Sequence, residues 1–178
     1  MNLILMSGNS LRNRDWIYQV ETALKPLFSQ TYVSVYDHWA KSQPMADIQL
    51  EADKLAKLAN SMDQEYAIFA KSIGSVITLQ DIAEAKIKPA YLVITGLPLN
   101  LVDELNLPLK EWLLYTRDIP TLIIQNSKDP VGSFARLSNY VTADHTHTSL
   151  NLVEIAGNDT HDYDDLANLK SLVKDFIK

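Results

Sequence analysis

The chain contains no cysteine, which rules out disulfides, thiolate metal sites and a cysteine nucleophile. Glycine is scarce, at 5 among 178 residues, and neither a P-loop lysine pattern nor a spaced-glycine dinucleotide turn is present. No basic run occurs, and the formal net charge is −6. A phosphate-tracking surface needs clustered Lys and Arg, so nucleic acid is not an expected partner. No segment is long and apolar enough to span a bilayer. The apolar start, Met1 to Met6, is broken by Gly8 and Asn9 before Arg12 and Arg14, the reverse of a secretion signal. The expectation from these absences is a cytoplasmic protein with no membrane partner.

What is present is ordinary globular material. A 47 % hydrophobic and 21 % charged chain of this length supports one full core, so residues 1–178 are read as a single domain, monomeric or homodimeric. Short apolar runs alternate with amphipathic stretches. Strands are expected at Asn2–Met6, Tyr32–Tyr36, Tyr66–Lys71, Ala90–Thr95, Thr121–Gln125 and Asn151–Ile155. Helices are expected at Arg14–Phe28, after a cap at Asp47, and at Ser72–Lys86, Ser133–Val141 and Asp164–Ile177. A Leu- and Pro-rich stretch, Leu97–Leu114, carries a short helix from Pro108, and its leucines are either core or acyl-binding surface. Such alternation builds an α/β fold, a doubly wound and mainly parallel six-stranded sheet with helices on both faces. Working residues then gather in the loops at the carboxyl ends of the strands.

Three of those loops hold a nucleophile, an acid and a base. Ala70-Lys71-Ser72-Ile73-Gly74 takes the third strand straight into a helix. A serine on that sharp turn projects its hydroxyl above the sheet, with small residues needed two before and two after. The Ile73 N–H, at the helix N-terminus, is placed to donate to an oxyanion. The bland alternative is that Ser72 caps the helix and Gly74 only packs. Asp129 precedes Pro130 after the fifth strand, and His161 lies in the loop before the last helix. Singly, Asp129 reads as a turn residue and His161 as a surface histidine, with Asp159 or Asp162 capping the helix. Jointly, in the order Ser72, Asp129, His161, they read as a catalytic triad.

His38, His145 and His147 compete weakly as the base, and His38, beside Trp39, is a candidate to line the pocket. His145-Thr146-His147 has a spacing compatible with a metal, but no carboxylate cluster accompanies it and a polar surface loop explains it better. Neither metal nor organic cofactor is required.

The Gly8 turn, Trp16, Asp37-His38-Trp39, the Ala70–Gly74 elbow, Asp129-Pro130 and the His161 loop together resemble the compact, lidless α/β-hydrolases. Within them the chain looks most like the retinoblastoma-binding-protein-9/YdeN-type serine hydrolases, over nearly its whole length. The resemblance implies a minimal α/β-hydrolase fold, with strand order 2-1-3-4-5-6 and without the usual two antiparallel strands at the start. It makes the Asn9 N–H the second oxyanion donor, where such families carry His-Gly and this chain has Ser7-Gly8. Gly8, His38, Trp39 and Lys71 become the pocket-lining candidates; Lys71 stands where histidine often precedes the nucleophile. The implied activity is hydrolysis of a small-molecule ester, thioester or amide through an acyl-enzyme, with a carboxylesterase as the default. A non-catalytic hydrolase-fold protein that binds a ligand or another protein is the alternative. A nucleotide-binding protein using the Ser7–Ser10 turn ranks lower.

Overall fold

A computed structural model describes residues 1–41, 43–142 and 149–178. Six strands form one sheet: β1 (Asn2–Met6), β2 (Thr31–Val33), β3 (Tyr66–Lys71), β4 (Tyr91–Thr95), β5 (Thr121–Asn126) and β6 (Leu150–Ile155). Every pairing is parallel, and the order is β2-β1-β3-β4-β5-β6. The topology is the one expected from the sequence. The helices are α1 (Leu11–Leu24), α2 (Asp37–Lys41), α3 (Ile48–Asn60), α4 (Ile73–Ala83), α5 (Leu99–Glu104), α6 (Leu109–Leu114), α7 (Phe134–Thr142) and α8 (Leu166–Phe176).

Strand alternation sends side chains to two cores. Ile4, Met6, Ile68, Ala70, Leu92, Ile94 and Ile123 join a cluster with residues of α3, α4, α5, α6 and α7. Leu3, Leu5, Ala67, Phe69, Val93, Leu122 and Ile124 face α1 and α8. Helix α4, packed against both α3 and α6, is buried almost all round. The leucines of the Leu97–Leu114 stretch divide: Leu97, Leu99, Leu109 and Leu113 are core, while Leu105 and Leu114 are exposed. The four buried leucines fill the protein.

Two expectations are corrected near the second strand. β2 ends at Val33, because Tyr36 turns inward and donates from its hydroxyl to the Ser7 carbonyl at 2.7 Å. The chain then forms α2, which is too short for hydrophobic periodicity to reveal. The cap at Asp47 is present: its carboxylate accepts from the Leu50 N–H at 3.1 Å. Asp47→Ala should therefore lower stability by about 1 kcal/mol, measured by denaturant titration.

Candidate active site

The junction of β3 and α4 is sharply bent. Ser72 takes φ 52 and ψ −122, a region suited to glycine and strained by about 1–3 kcal/mol for other residues. It stands at the N-cap position, yet its side chain makes no capping hydrogen bond. The bland alternative of a helix cap therefore fails. The backbone around it is tightly held: the Ser72 N–H donates to the Thr95 carbonyl, and the Gly74 N–H to the Ser7 carbonyl, both at 3.1 Å. A Cβ on Gly74 would lie 2.6 Å from the Ser7 carbonyl oxygen and 2.8 Å from that of Met6. Gly74 must be glycine so that the elbow can close on the end of β1. Ala70 needs less room, being an ordinary strand residue paired between Met6 and Ile94.

Loops after β5 and β6 bring the acid and the base together. The His161 Nδ1 lies 2.8 Å from one Asp129 carboxylate oxygen and 3.1 Å from the other. A carboxylate only accepts, so in the neutral imidazole Nδ1 carries the proton and Nε2 presents the lone pair. Asp129 is buried, and its charge is compensated by further donors. The Val131 N–H reaches it at 3.0 Å and the Tyr163 hydroxyl at 2.9 Å. Burial first, and the Asp129 charge second, push the Tyr163 hydroxyl far above its ordinary range, so it stays a donor.

Two further residues steady the base. The Asn126 side-chain amide donates at 2.9 Å to the carbonyls of Thr160 and of Asp162, which bracket His161. Gly96, at the end of β4 with φ 60, lets the imidazole close in. A Cβ there would meet the His161 ring at 2.8 Å and the Tyr163 ring at 2.7 Å. The remaining ring nitrogen, Nε2, is buried and has no hydrogen-bond partner. The Ser72–His161 hydrogen bond is thus not formed in this structure. Catalytic hydrogen bonds of free enzymes commonly close only when substrate arrives.

The first loop is pinned from both sides. The Asn9 carbonyl accepts from His38 Nε2 at 2.7 Å and from Trp39 Nε1 at 3.0 Å. Its side chain donates to the Pro44 carbonyl and accepts from the Ala46 N–H, both at 2.9 Å. Neither the Asn9 nor the Ile73 backbone N–H has an acceptor among the described residues. Both remain available for an oxyanion. Asn9, His38 and Trp39 also line a cleft of about 260 Å³ with Ser10, Leu11, Gln43 and Pro44.

The other two pocket candidates, Gly8 and Lys71, are both buried. Gly8 is buried, and its missing Cβ leaves room for the Asn13 carboxamide, 2.6 Å from where that carbon would stand. Lys71 is 2 % exposed. It follows Ala67 and Phe69 onto the α1/α8 face, because successive strand residues alternate sides. Its ammonium donates to Asn13 Oδ1 at 2.8 Å and sits 4.4 Å over the Trp16 ring. Burial lowers its pKa to about 8.

His145 and His147 lie outside the described residues. Among the described residues no group of three or more His, Cys, Asp or Glu could hold a metal ion. No described helix is long and apolar enough to cross a membrane. Asp165, not Asp159 or Asp162, caps the last helix, accepting from the Asn168 N–H at 3.0 Å. Asp162 instead pairs with Arg12 at 3.0 Å.

No family model and no curated protein matches the chain. Solved structures do. An α/β serine hydrolase homologue from Coxiella burnetii superposes with TM-score 0.75 at 18 % identity, covering 100 % of this chain and 85 % of that one. A YdeN-like hydrolase from Pectobacterium atrosepticum gives 0.67 at 16 %, covering 98 % and 91 %. An uncharacterized protein from Bacillus cereus gives 0.79 at 16 %, and 99 % of this chain spans only 60 % of its length. At identities this low the superpositions show the fold alone, an α/β-hydrolase fold.

Proposed function

We propose that this protein is a serine hydrolase, with Ser72 as nucleophile, His161 as base and Asp129 as the group that orients and stabilises the imidazolium. The observation that carries this reading is Ser72 itself. It keeps a strained backbone, and its hydroxyl makes no hydrogen bond that would account for it. In the proposed reaction His161 Nε2 takes the hydroxyl proton as Ser72 Oγ attacks a carbonyl carbon. The Ile73 and Asn9 N–H groups hold the resulting oxyanion. His161 then returns the proton to the departing alkoxide. A water molecule, deprotonated by the same nitrogen, releases the acyl group as an acid and restores Ser72.

A small-molecule ester is the proposed substrate, because its leaving group demands least of the site; thioesters and amides belong to the same chemistry. The unclosed Ser72–His161 pair also favours a second reading, a hydrolase-fold protein that binds a ligand without turning it over. Hydrolysis of p-nitrophenyl esters of varied acyl length separates the two. The wild type should turn over at least one of them. Asp129→Asn should lower kcat by about 10⁴, since the amide NH2 donates to Nδ1 and favours the tautomer that leaves Nε2 protonated. Absence of wild-type turnover across the panel supports the binding protein.

A further inference from the structure

Lys71 is joined covalently to the nucleophile, yet its side chain reaches into the first loop. Its ammonium donates to Asn13 Oδ1 at 2.8 Å, and the Asn13 amide donates to Ser10 Oγ at 2.8 Å. The Asn13 carbonyl accepts from Ser7 Oγ, again at 2.8 Å, and the Asn13 N–H donates to the Ser10 carbonyl at 2.9 Å. The Asn13 carboxamide also fills the space that Gly8 leaves by lacking a Cβ. Asn13 thus touches Ser7, Gly8 and Ser10, the residues that flank Asn9. Outside, His38 and Trp39 hold the Asn9 carbonyl. Inside, the link runs through Asn13 to Lys71.

We propose that Lys71 and Asn13 are positioning residues, a buried tether that sets the Asn9 N–H at a fixed place relative to Ser72. Neither touches the reacting atoms. A buried ammonium is an expensive way to hold a loop, since an apolar side chain of similar volume avoids the desolvation cost. Packing alone does not call for it. What the ammonium adds is direction: one strong charge-assisted hydrogen bond ties the loop to the residue beside the nucleophile. Trp16, whose ring lies beneath the ammonium, donates from Nε1 to the Tyr163 carbonyl at 3.3 Å. Tyr163 in turn donates to Asp129. Lys71 therefore stands where the nucleophile, oxyanion and acid limbs meet. The tether rests on the serine-hydrolase reading for its effect on rate, but not for its effect on the loop.

The test uses Lys71→Met and Asn13→Ala in the full chain, with two readouts. Backbone amide order parameters of Gly8, Asn9 and Ser10 should fall from rigid values of about 0.85 to below about 0.6 in both variants. Per folded molecule, kcat for ester hydrolysis should fall roughly 10- to 100-fold with KM nearly unchanged. The thermal midpoint of Lys71→Met should stay level or rise, because a buried charge has been removed. A purely structural lysine would show the opposite, a lower midpoint with kcat preserved. Wild-type order parameters at residues 8 to 10 in both variants would overturn the tether. A wild-type protein inert towards esters would overturn the hydrolase reading instead, and the order parameters would still decide the tether.

Discussion

Ser72→Ala should remove ester turnover almost entirely, with kcat falling by about 10⁶ as in serine hydrolases stripped of the nucleophile. The chain has no cysteine, and Ser75, one turn on, gives its hydroxyl to the Ser72 carbonyl. Ser72→Gly should be equally inactive and also more stable. Its φ of 52 and ψ of −122 strain a serine but not a glycine. A gain of about 1 kcal/mol corresponds to a thermal midpoint roughly 2–4 °C higher for a domain of this size. Loss of activity together with gain of stability is the signature of strain retained for function. An inactive but destabilised Ser72→Gly would mean that the hydroxyl supports the fold.

The second large effect is expected at Gly96. An alanine there meets two penalties: φ of 60, and a Cβ 2.8 Å from the His161 ring and 2.7 Å from that of Tyr163. Both rings belong to the network around Asp129, so the methyl can be accommodated only by moving the base. Displacement of about 1 Å costs on the order of 10² in rate. Gly96→Ala should therefore lose at least that much kcat, beyond its loss of stability. Gly157→Ala is the control. Its φ is 75, but no atom lies within 4 Å of the added carbon. It should lose about 1 kcal/mol of stability from backbone strain while kcat stays within about twofold. Equal rates in the two variants would remove Gly96 from the site.

Much of this arrangement was legible in the sequence, for identifiable reasons. Asn2–Met6 and Tyr66–Lys71 are buried strands bounded by polar or turn residues, and their ends fall where the sequence placed them. Ser72, Asp129 and His161 follow three strands of one parallel sheet, and parallel strands deliver their loops to the same edge. The supporting residues were harder to see. Tyr163 and Asn126 act through contacts that depend on how the loops after β5 and β6 fold over each other. Helix α2 has no periodicity long enough to read. Lys71 is a pocket candidate only by resemblance, standing where histidine often precedes the nucleophile. The alternation that puts Ala67 and Phe69 on the α1/α8 face puts Lys71 there as well, a signal already present in the strand.

The most direct test of the central claim is the site of covalent capture by a fluorophosphonate. The protein is treated with the probe, digested, and the phosphonylated peptide sequenced by tandem mass spectrometry. A single adduct on Ser72 is expected, absent from heat-unfolded protein and strongly reduced in Asp129→Asn. An adduct on any other residue, or labelling that persists in Ser72→Ala, would contradict it.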